Sequence, residues 1–460
     1  MKEPLLVKGT HWADVLGEEV DTFLKTERRK EMLTGEKYYQ GKQDILQRKK
    51  TVVGANGRLE ECKNLVNSRV VDNQYARVVD QKVSYLLGRA PSFITEDKEI
   101  QKTLSCLFGP DFHRKLRMIG EDSLNCGIAW LHPYYDRAGK LKFRRLPPWE
   151  VIPLWADDSH TELEGALRVF AKAQGGGQAP QIFVEFFTPE GLYRFCQVEG
   201  RLELKEGPRP YFTCKTKAKE IPGMWGRVPL IAFRAESREI PLIRRVKSLQ
   251  DSLNTMLSDF ADRMGENAHN TVLVIRNFDG EDLGEFRRNL ATFGAVKVRS
   301  EGADGGGVET LNIQVNAENF AAILKLLKRA LVENAKGFDV KDLSALSSPN
   351  QMAIWSMYAD MDLDAGMMEL EFGASLQELL GFVCQHLTRS GKPGFCAEEV
   401  QVIFHRDVLI NESETIENCL KSQGILSQES ILHQHPWVKD VTVEEERLGK
   451  TCSPAFAEDK

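Results

Sequence analysis

The amino-acid sequence predicts an α+β fold, and three observations lead to that prediction. Apolar residues recur every three to four positions in two long stretches between residues 240 and 340, which indicates amphipathic helices. Between residues 127 and 235 the period changes to two, which indicates β-strands. The chain has 460 residues, of which 42% are hydrophobic and 28% charged, so it is long enough for several globular domains.

The first part of the chain is predicted to be helical. A polar helical stretch over residues 1–50 and further helices over 67–88 and 99–125 follow from the three-to-four spacing of apolar side chains. Gly88 stands where a helix C-terminus often places a glycine. The Ala90-Pro91 pair then predicts an extended exit from that helix.

Three polar residues in this part, Asn67, Asn73 and Gln74, admit two interpretations. They form a set that binds a ligand, or they cap helices and satisfy buried backbone groups. The second role is the commoner one for such side chains, so it is favoured here and the first stays an alternative.

Residues 127–235 are predicted to form an antiparallel β-rich unit. Alternating segments at 128–135 and 140–146 flank Asp136-Arg137-Ala138-Gly139, which is a hairpin signature. Gly175-Gly176-Gly177 is expected at a loop tip, because it lacks the helix and the Lys-Ser/Thr pair of a phosphate-binding loop. Further strands are predicted at 150–155, 165–173, 181–187, 192–198, 201–204 and 228–233.

Two long helices follow. The first is predicted to start at Pro241, which suits the first helical position, and the second to open at the N-cap Asn316 and to close at Gly337. Each would be roughly 30–40 Å long at 1.5 Å per residue. The pair is either a stalk or a helical hairpin in an enzyme core, and both alternatives stay open. The apolar stripes comprise Leu242, Val246, Leu249, Leu253, Met256, Leu257, Phe260 and Met264, and then Phe320, Ile323, Leu324, Leu327 and Leu331.

Residues 269–315, between the two helices, are predicted to form a small α/β module. A module of about 45 residues is too small to build a comfortable core alone. It is therefore expected to gain stability by packing against copies of itself.

The C-terminal part begins with a polar loop at 341–351. A long helix is predicted from Met352 to Leu387, with a kink near Gly366 and Gly373. The remainder is predicted as a strand at 400–404, an acidic helical region at 411–450 with one helix opening at Ser427, and a frayed tail at 451–460.

Composition excludes several classes of function. A net charge of −6 and a pI of about 6.0 do not fit a basic, sequence-specific nucleic-acid-binding domain. No stretch approaches the roughly 18 apolar residues of a membrane span, and no apolar region of a secretory signal follows the N-terminus. Nine cysteines without a CxxC pair indicate reduced thiols in a cytosolic setting.

No motif predicts a catalytic residue, a cofactor or a metal site. The sequence contains no P-loop, HExxH, GxSxG or Rossmann fingerprint. Asp360, Asp362 and Asp364 lack the glycine and terminal glutamate of an EF-hand loop, so they are interpreted as a polar stripe facing solvent or a tunnel. His433 and His435 are two positions apart and point away from each other on a helix, so they are not expected to share a metal.

Eight short segments, spread from end to end, together carry a family resemblance. They are residues 38–46, 67–73, 82–88, 228–231, 246–254, 258–259, 424–430 and 435–440. No single segment is decisive, but their order and spacing over roughly residues 30 to 448 are fairly specific. In this pattern the chain resembles the portal proteins of long-tailed bacteriophages.

The resemblance implies a ring-forming portal fold around a central DNA channel. It implies a β-rich wing at 1–239, stem helices at 240–268 and 316–340, a clip at 269–315, a tunnel loop at 341–351, a kinked helix returning to the wing at 352–410, a helical crown at 411–450 and a tail at 451–460.

The resemblance also implies partners and a place in the virion. A homo-oligomeric ring of twelve subunits would sit at one capsid vertex, after assembly in the bacterial host cytoplasm. The terminase large subunit would package double-stranded DNA through the ring without sequence-specific contacts, and the DNA would later be ejected. Major capsid and scaffolding proteins and a head-completion or adaptor protein are further implied partners, with no membrane, cofactor or enzymatic activity.

Two groups of site residues follow from the resemblance. The tunnel-loop residues that line the DNA channel are Lys341, Asp342, Ser344, Ser347, Ser348, Asn350 and Gln351. The clip residues that would dock the terminase and the connector are Arg276, Glu281, Asp282, Arg287 and Arg288.

Two other functions stay open from the sequence. A cytosolic enzyme built on the β-rich unit would hold groups with shifted pKa values in a deep pocket. A metal-dependent nuclease would bring three carboxylates together around a metal ion.

Overall fold

The computed structural model describes residues 12–53, 58–61, 66–173, 180–198, 200–215, 220–267, 272–276, 307–311, 317–339, 351–406, 412–438 and 444. Helices and strands combine as predicted, so the α+β class is confirmed. The chain divides into two compact units. The first comprises Met1–Gly41, Gln74–Val246 and Val332–Lys460, and the second Lys42–Asn73 and Lys247–Leu331. Within the described ranges, no helix has the length and apolar character needed to cross a membrane.

Five helices precede the larger sheets, and their positions largely follow the periodicity. The helix predicted over 67–88 begins only at Gln74, so the prediction was wrong for residues 67–73. Thr26 and Asp97 begin two of the helices as N-caps, because Thr26 Oγ1 accepts from the Arg29 N–H at 3.3 Å and Asp97 Oδ1 from the Glu99 N–H at 2.8 Å. The third ends at Leu87 as expected, although Gly88 is not among the glycines in the left-handed region. The helices are α1 (Trp12–Lys25), α2 (Glu27–Tyr39), α3 (Gln74–Leu87), α4 (Lys98–Leu107) and α5 (Pro110–Cys126).

Gly127 ends α5 and turns the chain into the sheets. Its φ of 81° lies in the left-handed region, which glycine adopts without steric cost. A Cβ at this position would lie 2.1 Å from the carbonyl oxygen of Glu239. Two independent constraints therefore require glycine here.

The β-rich unit is confirmed as two antiparallel sheets with additional hairpins. The larger sheet has the order β10-β9-β8-β7-β6, and a three-stranded sheet has the order β13-β4-β5. The predicted hairpin around Asp136 is present as β4 and β5. The strands are β1 (Thr51–Val53), β2 (Leu59–Glu61), β3 (Ser92–Ile94), β4 (Ile128–Tyr135), β5 (Leu141–Leu146), β6 (Val151–Trp155), β7 (Leu163–Lys172), β8 (Gln181–Thr188), β9 (Gly191–Val198), β10 (Arg201–Arg209), β11 (Phe212–Lys215), β12 (Glu220–Gly223) and β13 (Ile231–Arg234).

Two apolar clusters make up the core around the larger sheet. One joins α1 to the sheet through Val20, Leu167, Val184 and Phe195, which are all buried. The other surrounds the fully buried Trp130 of β4. Alternate residues of the strands thus pack into one cluster or the other, which explains why so many positions of β7 and β8 are apolar.

The two long predicted helices are present as α6 (Ile243–Asn267) and α7 (Ala317–Asn334), with β14 (Val272–Arg276) and β15 (Gly307–Leu311) paired between them in the chain. The start at Pro241 was wrong by two residues. Pro241 instead begins a tight turn, in which its carbonyl accepts from the Arg244 N–H at 3.1 Å.

Gly337 does not have the role that the sequence suggests. The residue with left-handed backbone after α7 is Lys336, with φ 52°, and the Gly337 N–H donates back to the Val332 carbonyl at 2.8 Å. A Cβ on Gly337 would lie 3.2 Å from Val78 Cγ1. Gly337 therefore lies in tight contact with α3, and its own φ angle is not in the left-handed region.

An extended segment at 66–73, here called the strap, lies along α6 in the second unit. Four polar residues spaced four apart on α6, here called the ladder, bind its backbone. Gln250 Nε2 donates to the Asp72 carbonyl at 2.7 Å, and the N–H groups of Asp72, Val70 and Ser68 donate to Asn254 Oδ1, Ser258 Oγ and Asp262 Oδ1 at 3.0, 3.0 and 2.6 Å. All four ladder residues are buried.

Asn67 and Asn73 at the two ends of the strap also have structural partners. Asn67 Nδ2 donates to the Arg48 carbonyl at 3.0 Å, and Asn73 Oδ1 accepts from Gln43 Nε2 at 2.9 Å. These contacts match the interpretation in which such side chains satisfy protein groups.

The long C-terminal helix is present as α8 (Gln351–Arg389), which runs without interruption through Gly366 and Gly373. A kink at these glycines stays a prediction. Ser427 caps a helix as predicted, because its Oγ accepts from the Ser430 N–H at 3.3 Å. The remaining elements are β16 (Gln401–Ile403), paired with β3, and the short helices α9 (Glu412–Lys421) and α10 (Gln428–Gln434).

Candidate functional site

Most of the predicted site residues lie outside the described residues. Among the tunnel-loop residues, this applies to Lys341, Asp342, Ser344, Ser347, Ser348 and Asn350, and among the clip residues to Glu281, Asp282, Arg287 and Arg288. Gln351 is the first residue of α8, and Arg276 is the last residue of β14. The structure therefore describes the supports on either side of the polar loop.

The chain enters the polar loop through residues 336–339, here called the Phe338 turn. The Phe338 N–H donates to Gln81 Oε1 at 3.0 Å, and Gln81 Nε2 donates to the Phe338 carbonyl at 2.9 Å. A single side chain of α3 thus satisfies both backbone groups of Phe338. An ion pair between Arg77 and Asp339 at 3.3 Å adds a second contact to α3.

The Phe338 ring is buried and joins the turn to α8. It stacks on Tyr358 with ring centroids 4.4 Å apart, and Tyr358 stacks in turn on Tyr85 of α3 at 5.8 Å. Met361 and Ala365 of α8 complete this cluster. The ring therefore connects α3, the end of α7 and α8 at one point.

Asp364 of α8 binds two lysines beside this cluster. It pairs with the buried Lys82 of α3 and with Lys336 of the turn, the latter at 2.9 Å. Burial lowers the pKa of Lys82, and the charge of Asp364 opposes that effect. Burial alone would raise the pKa of Asp364, but the two lysines bring it below its usual value. The three charged side chains thus form one structural unit.

Asp362 belongs to a second network on a different side of α8. It accepts a hydrogen bond from Tyr85 Oη at 2.8 Å and pairs with Arg406, which also pairs with Glu369. Burial and the bond to Asp362 raise the pKa of Tyr85. The interpretation as a stripe facing solvent was wrong for Asp364, whose side chain is 22% exposed and is bound to two lysines. Asp360 is exposed, and Asp362 is 47% exposed although it pairs with Arg406. Residues two apart on a helix point in different directions, which separates their partners.

Gln81, Lys82, Lys336 and Arg406 were not singled out from the sequence. Lys82 lies in one of the segments that carry the family resemblance, but the sequence did not predict that it forms a buried ion pair. A lysine within an apolar helical stripe is the only local signal for a buried ion pair. Its partner Asp364 follows 282 residues later, and nothing local links the two.

Strongly shifted pKa values also occur elsewhere in the first unit. Burial raises the pKa of Asp122 to about 6 against the effect of Arg145, and that of Glu378 to about 7 against the effects of Arg227 and Arg234. Burial lowers the pKa of His132 to about 4, and its Nδ1 lies 2.6 Å from the Pro229 carbonyl oxygen.

The cavities do not coincide with these groups. A depression of about 320 Å³ on the larger sheet is lined by nine residues, among them Phe170, Phe183 and Arg194, and not by Asp122, His132 or Glu378. Within the described ranges, no cluster of three or more His, Cys, Asp or Glu side chains is placed to hold a metal ion. The carboxylate trio of a nuclease is thus not found among the described residues.

Comparisons with known proteins identify relatives along almost the whole chain. The family model described as phage portal protein, SPP1 Gp6-like, matches residues 24–451. The portal protein of Bacillus phage SPP1 is 27% identical over 425 residues, which cover 91% of this chain and 82% of the relative. The portal protein of Clostridium phage phiCD119 is 28% identical over 432 residues, covering 90% and 91%.

Among solved structures, a chain from the virion of a native gene transfer agent particle aligns with a TM-score of 0.39 and 12% sequence identity. The alignment covers 77% of this chain and 87% of that chain.

Proposed function

The chain belongs to the phage portal protein family, SPP1 Gp6-like, and we propose that it forms the ring-shaped channel at one vertex of a bacteriophage capsid. DNA is packaged through this channel and later ejected, and head-completion and tail proteins attach to it. The match to the family over residues 24–451 carries this proposal. Portal proteins are structural, and the proposal includes no catalytic step, cofactor or metal.

Exposed apolar side chains on the long helices support a ring. On α7, Ile323 is 43% and Leu326 67% exposed, and on α8, Met352, Leu363 and Leu370 are each at least 70% exposed. Such rows are costly to leave in water. Neighbouring copies in a closed ring would cover them, because identical heterologous contacts repeat around the axis.

The domain boundaries are part of the proposal. We assign the wing to 1–239, the stem to 240–268 and 316–340, the clip to 269–315, the tunnel loop to 341–351, the long helix and its return to 352–410, the crown to 411–450 and the tail to 451–460. The Phe338 turn and the start of α8 then support the tunnel loop from both sides.

The proposed contacts follow from these boundaries. The loop residues Lys341, Asp342, Ser344, Ser347, Ser348, Asn350 and Gln351 face double-stranded DNA, and the clip residues Arg276, Glu281, Asp282, Arg287 and Arg288 dock the terminase large subunit and the adaptor protein. A chain with net charge −6 suits a passage, because few lysines and arginines would hold the phosphates. Capsid and scaffolding proteins contact the ring, which has twelve copies in the virion after assembly in the host cytoplasm.

Electron microscopy of the purified chain tests the ring directly. We expect rings with an axial opening in negative stain, and a mass by mass photometry several times the 52.0 kDa of one chain. A uniform monomer at high concentration would contradict the proposal. Leu326→Gln should lower the fraction of rings, whereas Lys325→Gln on the same helix should leave it unchanged.

A packaging assay tests the tunnel loop separately. Lys341→Ala and Asn350→Ala should reduce the DNA packaged or retained while rings still form. The matched control is Lys325→Ala, which removes the same charge from α7. Normal packaging by both loop variants would show that the loop assignment is wrong without affecting the ring.

A further inference from the structure

The strap has two different edges. The N–H groups of Ser68, Val70 and Asp72 donate to the ladder on α6. Consecutive N–H groups of an extended chain point to opposite sides, so those of Arg69 and Val71 point away from α6. Within the part of the chain that the structure describes, neither of these two N–H groups donates a hydrogen bond.

The ladder holds this outer edge in a strand-like geometry. Four residues of a helix rise about 6.0 Å along its axis. A row of residues spaced four apart is inclined about 26° to the axis, so neighbouring ladder residues are roughly 6.7 Å apart along the row. Two residues of an extended chain cover about 6.6 Å. Because the two repeats match, the side chains of α6 serve as the neighbouring strand for the strap's inner edge.

Two apolar side chains of the strap are partly exposed to solvent. Val66 and Val70 are 43% and 37% exposed. A fixed strand with one open edge is the geometry to which an extended segment adds by backbone hydrogen bonding.

The same unit contains a hairpin that lacks a third strand. β1 and β2 have three residues each and, among the described strands, pair only with each other. Leu59 of β2 is 71% exposed. A two-stranded hairpin of this size is marginally stable by itself. Among the described residues of one chain, the hairpin and the strap are not paired, so each has an edge that a second copy would complete.

We propose that the β1–β2 hairpin of one copy adds to the outer edge of the strap of the next copy. This inference rests on the proposed ring. The Arg69 and Val71 N–H groups donate to the incoming strand, while those of Ser68, Val70 and Asp72 keep their bonds to the ladder. Because the two surfaces differ, the contact is head-to-tail and repeats around a closed ring.

Hydrogen exchange at single-residue resolution tests the edge. In unassembled chain, the Ser68, Val70 and Asp72 amides should exchange slowly, and those of Arg69 and Val71 fast. In the ring, Arg69 and Val71 should slow by about tenfold or more, and the alternation should disappear. Rings in which these two amides still exchange fast would overturn the inference and leave the proposed function intact. Absence of rings would instead contradict the proposed function.

Cross-linking tests the identity of the incoming strand. The Leu59→Cys/Val70→Cys double variant, treated with a short bismaleimide, should yield covalent multimers larger than dimers. Each single variant controls for the native cysteines, of which Cys106 and Cys396 are exposed. The Leu204→Cys/Val70→Cys pair places a cysteine at a different exposed leucine and should give no multimers above that background. Protection of Arg69 and Val71 without Leu59–Val70 multimers would overturn the assignment to the hairpin.

Discussion

The strap and the Phe338 turn are both short segments held against a long helix, but by opposite means. The turn is fixed by a buried aromatic ring and an ion pair, with one glutamine satisfying its backbone. The strap is fixed by four polar side chains that bind its backbone. Apolar burial has little directional preference and contributes most of the free energy, whereas hydrogen bonds contribute less and define a register. The comparison predicts that the turn governs stability and the strap governs alignment.

The largest effect is expected at the Phe338 ring. Phe338→Ala should lower the free energy of unfolding by about 3–5 kcal/mol, because it removes a buried ring and leaves a cavity. Urea unfolding measures the change. Leu326→Ala, at an exposed leucine of α7, should change it by less than about 0.5 kcal/mol in unassembled chain. If the two variants behave alike, the ring does not carry the stability of the turn.

A slightly smaller effect is expected at Asp364. Asp364→Asn leaves the buried Lys82 without its counter-charge and should cost about 3 kcal/mol in the same assay. Adding Lys82→Met should recover much of the loss, because no buried charge is then left unpaired. A double variant as unstable as the sum of the single ones would argue against the pair.

The pH dependence of this pair has a defined sign. The pKa of Asp364 is lowered in the folded chain, so the carboxylate contributes stability above its unfolded pKa of about 3.9. That contribution is lost as the pH falls through the lower folded value. The difference in stability between the natural chain and Asp364→Asn should thus be largest at neutral pH and shrink below about pH 4. A constant difference across that window would exclude Asp364 as its source.

The ladder should give a smaller change in stability and a local change in exchange. Ser258→Ala leaves the Val70 N–H without an acceptor and should cost about 1–2 kcal/mol. The Val70 amide should exchange faster, while Ser68 and Asp72 change less. Ser248→Ala, at an exposed position of the same helix, is the matched control. Equal effects of the two serine variants would remove the ladder as the explanation.

The smallest change in stability is expected at Lys336, where the backbone conformation is destabilising and the side-chain ion pair is stabilising. Its left-handed φ costs a non-glycine residue roughly 1–2 kcal/mol, and its ammonium group pairs with Asp364. Lys336→Gly removes both terms and should change stability by less than about 1 kcal/mol. Lys336→Met removes only the ion pair and should be the less stable variant. The reverse order would indicate that the backbone is not strained.

The helices and most strands could be predicted because their periodicity is local. The α6 stripe was found from its apolar residues, but the polar row at positions 250, 254, 258 and 262 was not, because polar residues at helical spacing normally face solvent. Its partner lies about 180 residues earlier in the chain. The pairing of Lys82 with Asp364 was missed for the same reason, because the two residues are far apart in the sequence. Gly337 was expected to be the left-handed residue after α7, because glycine adopts that backbone without steric cost, but Lys336 takes that conformation.

The matched repeat between the ladder and the strap restricts how the length of this segment can change. Removing or adding one residue between Ser68 and Asp72 would reverse which amides face α6, as a one-residue slip reverses the faces of a strand. Each ladder side chain would then face the wrong backbone group of the strap. A change of two residues would preserve the facing and shift the contacts by one rung. Insertions and deletions in this part of related chains should therefore come in even numbers.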